Sequence, residues 1–190
     1  MWVYVKQLEY PVRVSRPDLA MAKNIFAQFG GPDSEFSASW RYLTQAWIMP
    51  SGVAKAIVID IGTEELAHLE MVGTMINLLI ADATPEEMDR AGLGAHYVEH
   101  GRSLFLHDAA GVPWTSSYVQ SHDDPVTNLH EDMAAEQKAR TTYEHLICKT
   151  TDDQVRKTLA WLREREVVHF QRFGEALDRV QEKMAQRLHF

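Results

Sequence analysis

Glu65-Leu66-Ala67-His68 and Glu166-Val167-Val168-His169 are two copies of one pattern, a glutamate followed three residues later by a histidine. On a helix, positions i and i+3 share a face, so each pair aims two metal-capable side chains at one point. Nine His and 15 Glu make a single such pair unremarkable, and the surroundings carry the weight. Glu35 stands thirty residues before Glu65, and Glu136 stands thirty before Glu166. Tyr42 follows Glu35 by seven residues, and Tyr143 follows Glu136 by seven. Each half therefore reads Glu, then Tyr two turns on, then Glu-x-x-His one helix later.

The flanking sequence supplies the helices. The first long one is expected to start near Pro32-Asp33-Ser34 and stop before Pro50. The second opens at Ser51 and runs to about Ile80. The third has Asp124 as N-cap and Pro125 at its first position, a strong start signal, and reaches about Lys149. The fourth opens at Asp152 and runs to about Arg179 or beyond. Before them lie an extended arm or short edge strands over 1–16 and a helical stretch over 17–29, broken by Gly30-Gly31-Pro32. Thr84-Pro85-Glu86-Glu87 has the pattern of a capping box.

The first and second helices are joined by a few residues, as are the third and fourth, so each pair should form an antiparallel hairpin. The connection over 81–123 is much longer and holds Gly92, Gly94, Gly101, Gly111 and Pro113. A 30-residue helix is about 45 Å long, a distance that about 13 extended residues can cross. This connection can return along the whole bundle. Two hairpins joined by one long crossover define an all-α, ferritin-like four-helix bundle. The expected layout is one domain over 1–190: the arm and short helix over 1–31, the bundle over 32–180 with its crossover, and a tail over 181–190.

In that topology each hairpin brings its lone Glu level with its Glu-x-x-His. The bundle centre then receives Glu35, Glu65, His68, Glu136, Glu166 and His169. Burying four carboxylates without cations costs several kcal/mol per ion, whereas two divalent metals cancel the charge. Mixed carboxylate and imidazole donors suit Mn or Fe better than structural Zn, without choosing between the two.

Other features of the chain narrow the function. The net charge is −8, without a Lys/Arg-rich run, so nucleic acid is not an expected partner. No apolar stretch reaches the length of a membrane span, and the N-terminus lacks a signal-peptide pattern. Cys148, the single cysteine, excludes an internal disulfide and a four-cysteine metal site. Met71, Met75, Met88 and Met133 are read as packing residues. Arg163-Glu164-Arg165-Glu166 is read as a solvated charge run with Glu166 its one inward member. There is no Gly-x-Ser-x-Gly, so no hydrolase nucleophile stands out.

The chain resembles the manganese catalase family, and within it the short spore-coat branch. The resemblance is carried by Leu8-Glu9-Tyr10-Pro11-Val12, Ile61-Gly62-Thr63-Glu64-Glu65-Leu66-Ala67-His68-Leu69-Glu70-Met71 and Ala91-Gly92-Leu93-Gly94-Ala95-His96-Tyr97. It continues through Ala109-Ala110-Gly111-Val112-Pro113-Trp114-Thr115, Asp132-Met133-Ala134-Ala135-Glu136 and Arg163-Glu164-Arg165-Glu166-Val167-Val168-His169. The loop around Gly111-Val112-Pro113-Trp114 separates this family from other di-metal bundles that share the Glu-x-x-His pairs.

The resemblance implies a catalase that converts hydrogen peroxide to water and dioxygen at two manganese ions per chain, with iron as the alternative metal. Glu35 and His68 would ligate one ion and Glu136 and His169 the other, with Glu65 bridging. Glu166 would handle protons or ligate directly. Tyr42, with Tyr143 its counterpart, would fix a ligand carboxylate. Ala135 stands where some members place an Arg, and Arg140, one turn after Glu136, is the candidate substitute. The resemblance also implies a homo-oligomer, a hexamer in longer members, and a cytoplasmic or spore-coat location with coat proteins as partners. Two rival readings share the bundle: a di-iron oxidase or ferroxidase, and a structural spore-coat protein whose metal site supports folding.

Overall fold

The structure, a computed structural model, describes residues 3–50 and 52–187. Seven α-helices follow one another: α1 Leu19–Gly30, α2 Glu35–Gln45, α3 Val53–Leu79, α4 Pro85–Arg90, α5 Gly94–His100, α6 Pro125–Lys149 and α7 Asp153–Arg187. A single 3-10 turn over Ser116–Tyr118 interrupts the crossover.

The helix starts have local causes. The Ser34 side chain caps α2 by accepting from Ser37 N, and Asp124 caps α6 by accepting from Val126 N, with Pro125 first in the helix. Such caps satisfy amide donors that the helix itself leaves without partners. At α4 both halves of the Thr84/Glu87 capping box form. The α3 start differs from expectation. Gly52, at φ +112°, is its N-cap without a side-chain bond, and Ser51 lies outside the described residues. The fourth helix runs beyond Arg179, and residues 181–187, which the expected layout gives to a tail, continue α7.

The α2/α3 and α6/α7 hairpins pack through α3 against α7, and α1 lies on α2, α3 and α6. Two apolar clusters flank the centre of the bundle. One joins Ile25, Met71, Met75, Ile76, Leu79, Leu159 and Leu162, with Met88 and Leu93 from the crossover. The other joins Tyr42, Val58, Ile61, Leu129 and Phe173, with Met133 packed against it. The polar centre sits between the two.

Residues 3–16 run as a non-helical arm, and no strand forms among the described residues. Leu8, Tyr10, Val12 and Val14 dock on the first cluster, and Tyr10 stacks on Trp161 at 5.3 Å.

The crossover is bound down along its length. Gly30 ends α1 where His107 crosses it, and a Cβ there would stand 2.4 Å from His107 N. Trp114 Nε1 donates to Ser37 Oγ at 3.0 Å. Arg41 donates to Tyr118 O and to Gln120 Oε1, and Gln45 Nε2 donates to Gln120 O at 2.9 Å. Asn128 exchanges two hydrogen bonds with the His122 backbone.

Candidate metal centre

Four helices each deliver part of one constellation. Glu35 is the first residue of α2, Glu65 and His68 share a face of α3, Glu136 lies midway along α6, and Glu166 and His169 share a face of α7. All six are at most 2% exposed. The register that brings them level is the thirty-residue spacing, doubled.

Glu65 is the centre of the arrangement. Its Oε2 lies 2.9 Å from His68 Nδ1 and its Oε1 lies 2.8 Å from His169 Nδ1. The two imidazoles face each other with centroids 5.5 Å apart. Glu35 Oε2 approaches His68 Nδ1 at 3.5 Å, and Glu136 Oε2 approaches His169 Nδ1 at 3.6 Å. The result is two half-sites, Glu35/His68 and Glu136/His169, with one carboxylate between them.

Hydrogen bonding accounts for only part of this approach, the 2.9 Å contact between His68 Nδ1 and Glu65 Oε2. Glu65 Oε1, Glu136 Oε2, Glu166 Oε1 and His169 Nδ1 are buried without hydrogen-bond partners. Buried polar atoms almost always find one. Ligand atoms of Glu65, His68 and His169, and separately of Glu35, Glu65, His68 and Glu166, all converge within 4.8 Å. Carboxylate oxygens and imidazole nitrogens converging at that distance, with lone pairs unspent, fit divalent ions of the Mn or Fe type.

Charge tells the same story. Burial, then the Glu65 charge, pushes Glu35 up to about 8. Burial, then the charges of Glu136, Glu35 and Glu65, pushes Glu166 well above the carboxylate range. Burial would raise Glu65 too, but the charge of His169, with that of His68, outweighs it and holds Glu65 well below. His68 and His169 are both raised, because neighbouring carboxylates outweigh the burial that disfavours an imidazolium. Without cations the centre thus keeps protons on groups that a metal would need deprotonated.

Both tyrosines reach into the site. Tyr42 donates to Glu136 Oε1 and Tyr143 donates to Glu35 Oε1. Each occupies the second oxygen of a carboxylate whose other oxygen faces a histidine. Arg140 does not take up the role expected of it. Its guanidinium donates to Gln137 and Glu144, one turn to either side on its own helix.

A further layer was not read from the sequence. Glu64 Oε1 lies 3.5 Å from His68 Nε2 and 3.2 Å from His169 Nε2, the outer nitrogens of both rings. Arg165 Nε donates to the same oxygen at 2.7 Å. Burial would raise Glu64, but His169, His68 and Arg165 together draw it far below the ordinary range. Glu9 of the arm comes within 3.7 Å of His68 Nε2. Arg165 therefore belongs to the site's outer layer and not to a solvated run. The signal available was position, since Glu64 precedes His68 by one full turn.

Comparison with known proteins bears on this geometry. A family model described as manganese containing catalase matches residues 1–188. The chain belongs to that family. Its relatives include Protein CotJC of Bacillus subtilis (strain 168), 51% identical over 183 residues, covering 96% of each chain. The manganese catalase of Lactiplantibacillus plantarum is 32% identical over 195 residues, covering 96% of this chain and 73% of that protein. The crystal structure of wild-type KatB, a manganese catalase from Anabaena, superposes with a TM-score of 0.86 at 32% identity, covering 95% of this chain and 81% of that one. The helical bundle is thus the ferritin-like fold of the manganese catalases, as the doubled pattern implied. Among the described residues no helix is long and apolar enough to cross a membrane.

Proposed function

We propose that this protein is a manganese-dependent catalase that converts two hydrogen peroxide molecules to two waters and one dioxygen. One observation carries the reading: Glu65 stands between two imidazole Nδ1 atoms, at 2.9 and 2.8 Å, with Glu35 and Glu136 flanking them. Family membership supports the same chemistry.

Glu35 and His68 would hold one ion and Glu136 and His169 the other, with Glu65 shared between the two half-sites. When bound, two manganese ions per chain supply the two-electron exchange with peroxide. The chain's residues do the rest. Glu64 fixes both imidazoles through their outer nitrogens, which orients Nδ1 inward. Tyr42 and Tyr143 fix Glu136 and Glu35. Peroxide loses protons on the way to dioxygen and gains them on the way to water. Glu166, whose Oε1 has no hydrogen-bond partner, takes and returns them.

The reading extends to a chain working as one domain within a homo-oligomer, a hexamer by analogy with longer members. Val3, Tyr4, Val5 and Trp47, each more than 65% exposed, support association, since exposed apolar residues in groups favour contact. It also extends to the spore coat, with the cytoplasm as the other location.

The test is dioxygen release from hydrogen peroxide by protein made in manganese-supplemented cells, with bound metal counted on the same sample. Rapid release with about two manganese per chain is expected. Two bound metals without dioxygen would overturn the catalase reading. Slow oxidase turnover with iron would then identify a di-iron oxidase, and metal-dependent folding alone a structural coat protein.

A further inference from the structure

Near Tyr42 lies a second group of buried polar atoms that the proposed reaction does not use. Asp132 is 0% exposed, and neither of its carboxylate oxygens has a hydrogen-bond partner. Arg41 is 1% exposed. Its Nε and Nη2 are spent on Gln120 and Tyr118 O, while its Nη1 has no partner. Gln45 is likewise 0% exposed, with Nε2 spent on Gln120 O and Oε1 without a partner. Arg41 and Gln45 face Asp132 and favour its charged form, yet burial outweighs them and raises it well above the carboxylate range.

These atoms sit one step from the metal centre. Asp132 is one turn before Glu136 on α6, where i and i+4 share a face. Burial pushes the Tyr42 hydroxyl well up, and the charges that add to it are first Glu136 and then Asp132. The crossover segment 118–122 closes the group from outside through its bonds to Arg41, Gln45 and Asn128.

Arg41 Nη1, Gln45 Oε1 and both Asp132 oxygens are the buried atoms left without a geometric hydrogen-bond partner. Such a set is completed by water, which both accepts and donates, and about two molecules suffice. Left without partners, such a set would be destabilising.

We propose that Arg41, Gln45 and Asp132 hold ordered water near Tyr42, and that Asp132 is a positioning residue for peroxide breakdown, acting through that water on the Tyr42–Glu136 hydrogen bond. The assignment of a reaction rests on the catalase reading; the water does not.

Two measurements test it. Crystals of the manganese-loaded full chain should contain water within hydrogen-bond distance of both an Asp132 oxygen and Arg41 Nη1. A dry pocket, or a direct Arg41–Asp132 ion pair, would overturn the proposal whatever the activity. In steady-state kinetics, Asp132→Leu should lower kcat about tenfold with KM and manganese content unchanged, and Asp132→Asn should restore most of it. A Leu variant with wild-type kcat would overturn the proposal. So would one that loses manganese along with activity, because Asp132 would then support the site rather than position it. A wild-type protein that releases no dioxygen defeats the catalase reading alone and leaves the crystallographic result standing.

Discussion

Tyr42 and Glu136 belong to different hairpins, and the tyrosine of one holds the carboxylate of the other. The converse pair, Tyr143 and Glu35, repeats the exchange. The two hairpins are therefore linked at the centre by two buried hydrogen bonds, each ending on a proposed metal ligand. A carboxylate with one oxygen bonded to a buried phenol is held in a fixed orientation, with its other oxygen turned toward the histidine of its half-site.

Tyr42→Phe and Tyr143→Phe should each lower manganese affinity or turnover about tenfold, the usual effect of removing a group that orients a ligand. The halves are equivalent in pattern, so the two losses should be similar. Titration of metal-free protein with manganese, followed by kinetics on the loaded forms, measures both. Wild-type affinity and turnover in both variants would mean the phenols do not orient the carboxylates.

Glu64 approaches both histidines at their outer nitrogens. Glu64→Leu should disturb both half-sites together and cost about 10- to 100-fold in metal affinity or activity. Arg165→Met should cost less, because it removes the support of Glu64 and leaves Glu64 itself. Equal metal binding by Glu64→Leu and wild type would refute the role of the outer layer.

Loading the centre with manganese should release protons. Glu35 is pushed up to about 8, and Glu166, His68 and His169 are all raised, so proton binding competes with ligation in the metal-free chain. Ligation requires carboxylates and a neutral imidazole nitrogen. The sign follows: affinity rises with pH as fewer protons must be displaced, and it falls in acid. Calorimetric titrations in buffers of different ionisation enthalpy count the protons. Binding heats that do not depend on the buffer would contradict this account.

Periodicity and caps carry information along one chain segment, and here they carried much. The Ser34 and Asp124 caps, the Thr84 capping box and the level alignment of Glu35 with Glu65 and of Glu136 with Glu166 all follow from spacing. What spacing cannot supply is the neighbour across the bundle. Seven residues put Tyr42 two turns from Glu35, yet its partner is Glu136, 94 residues away. Arg165 sits in a run of alternating charge that reads as solvated, and only α3 packed beside α7 reveals Glu64 waiting for it. Arg140 errs the other way, because its long stem satisfies itself on Gln137 and Glu144 beside it. The helices inside the crossover, α4 and α5, were legible only at the Thr84 cap. They are too short for periodicity to declare.

Asp152 ties the arm to the last helix. Its carboxylate accepts from Gln154 N at the start of α7 and from Ser15 N and Oγ at 2.6 and 2.8 Å. Burial would raise it, but the Ser15 bonds and the amides of Gln154 and Val155 outweigh burial and lower it. A lowered folded value means the stabilisation is fully present above the ordinary Asp value of 3.8 and is lost as pH falls through the folded one. Asp152→Ala should cost about 1 kcal/mol at neutral pH, read from urea unfolding. The gap from wild type should close in acid. A gap that stays constant to pH 2 would show that the charged form is not what the arm holds.

Glu166 separates metal holding from proton handling. It lies on the same face of α7 as His169, and it is raised by Glu136, Glu35 and Glu65 on top of burial. Gln is nearly isosteric with Glu and can still donate or accept a hydrogen bond, but it cannot take up and return a proton at neutral pH. If Glu166 handles protons, Glu166→Gln should keep about two manganese per chain and lose at least about a hundredfold in kcat, the lower range for a general acid–base group. If it is a ligand, the variant should lose metal in parallel with activity. Measuring metal content and dioxygen release on one preparation distinguishes these outcomes. Wild-type turnover with full metal would remove Glu166 from the chemistry and turn the search for the proton carrier to the water proposed beside Asp132.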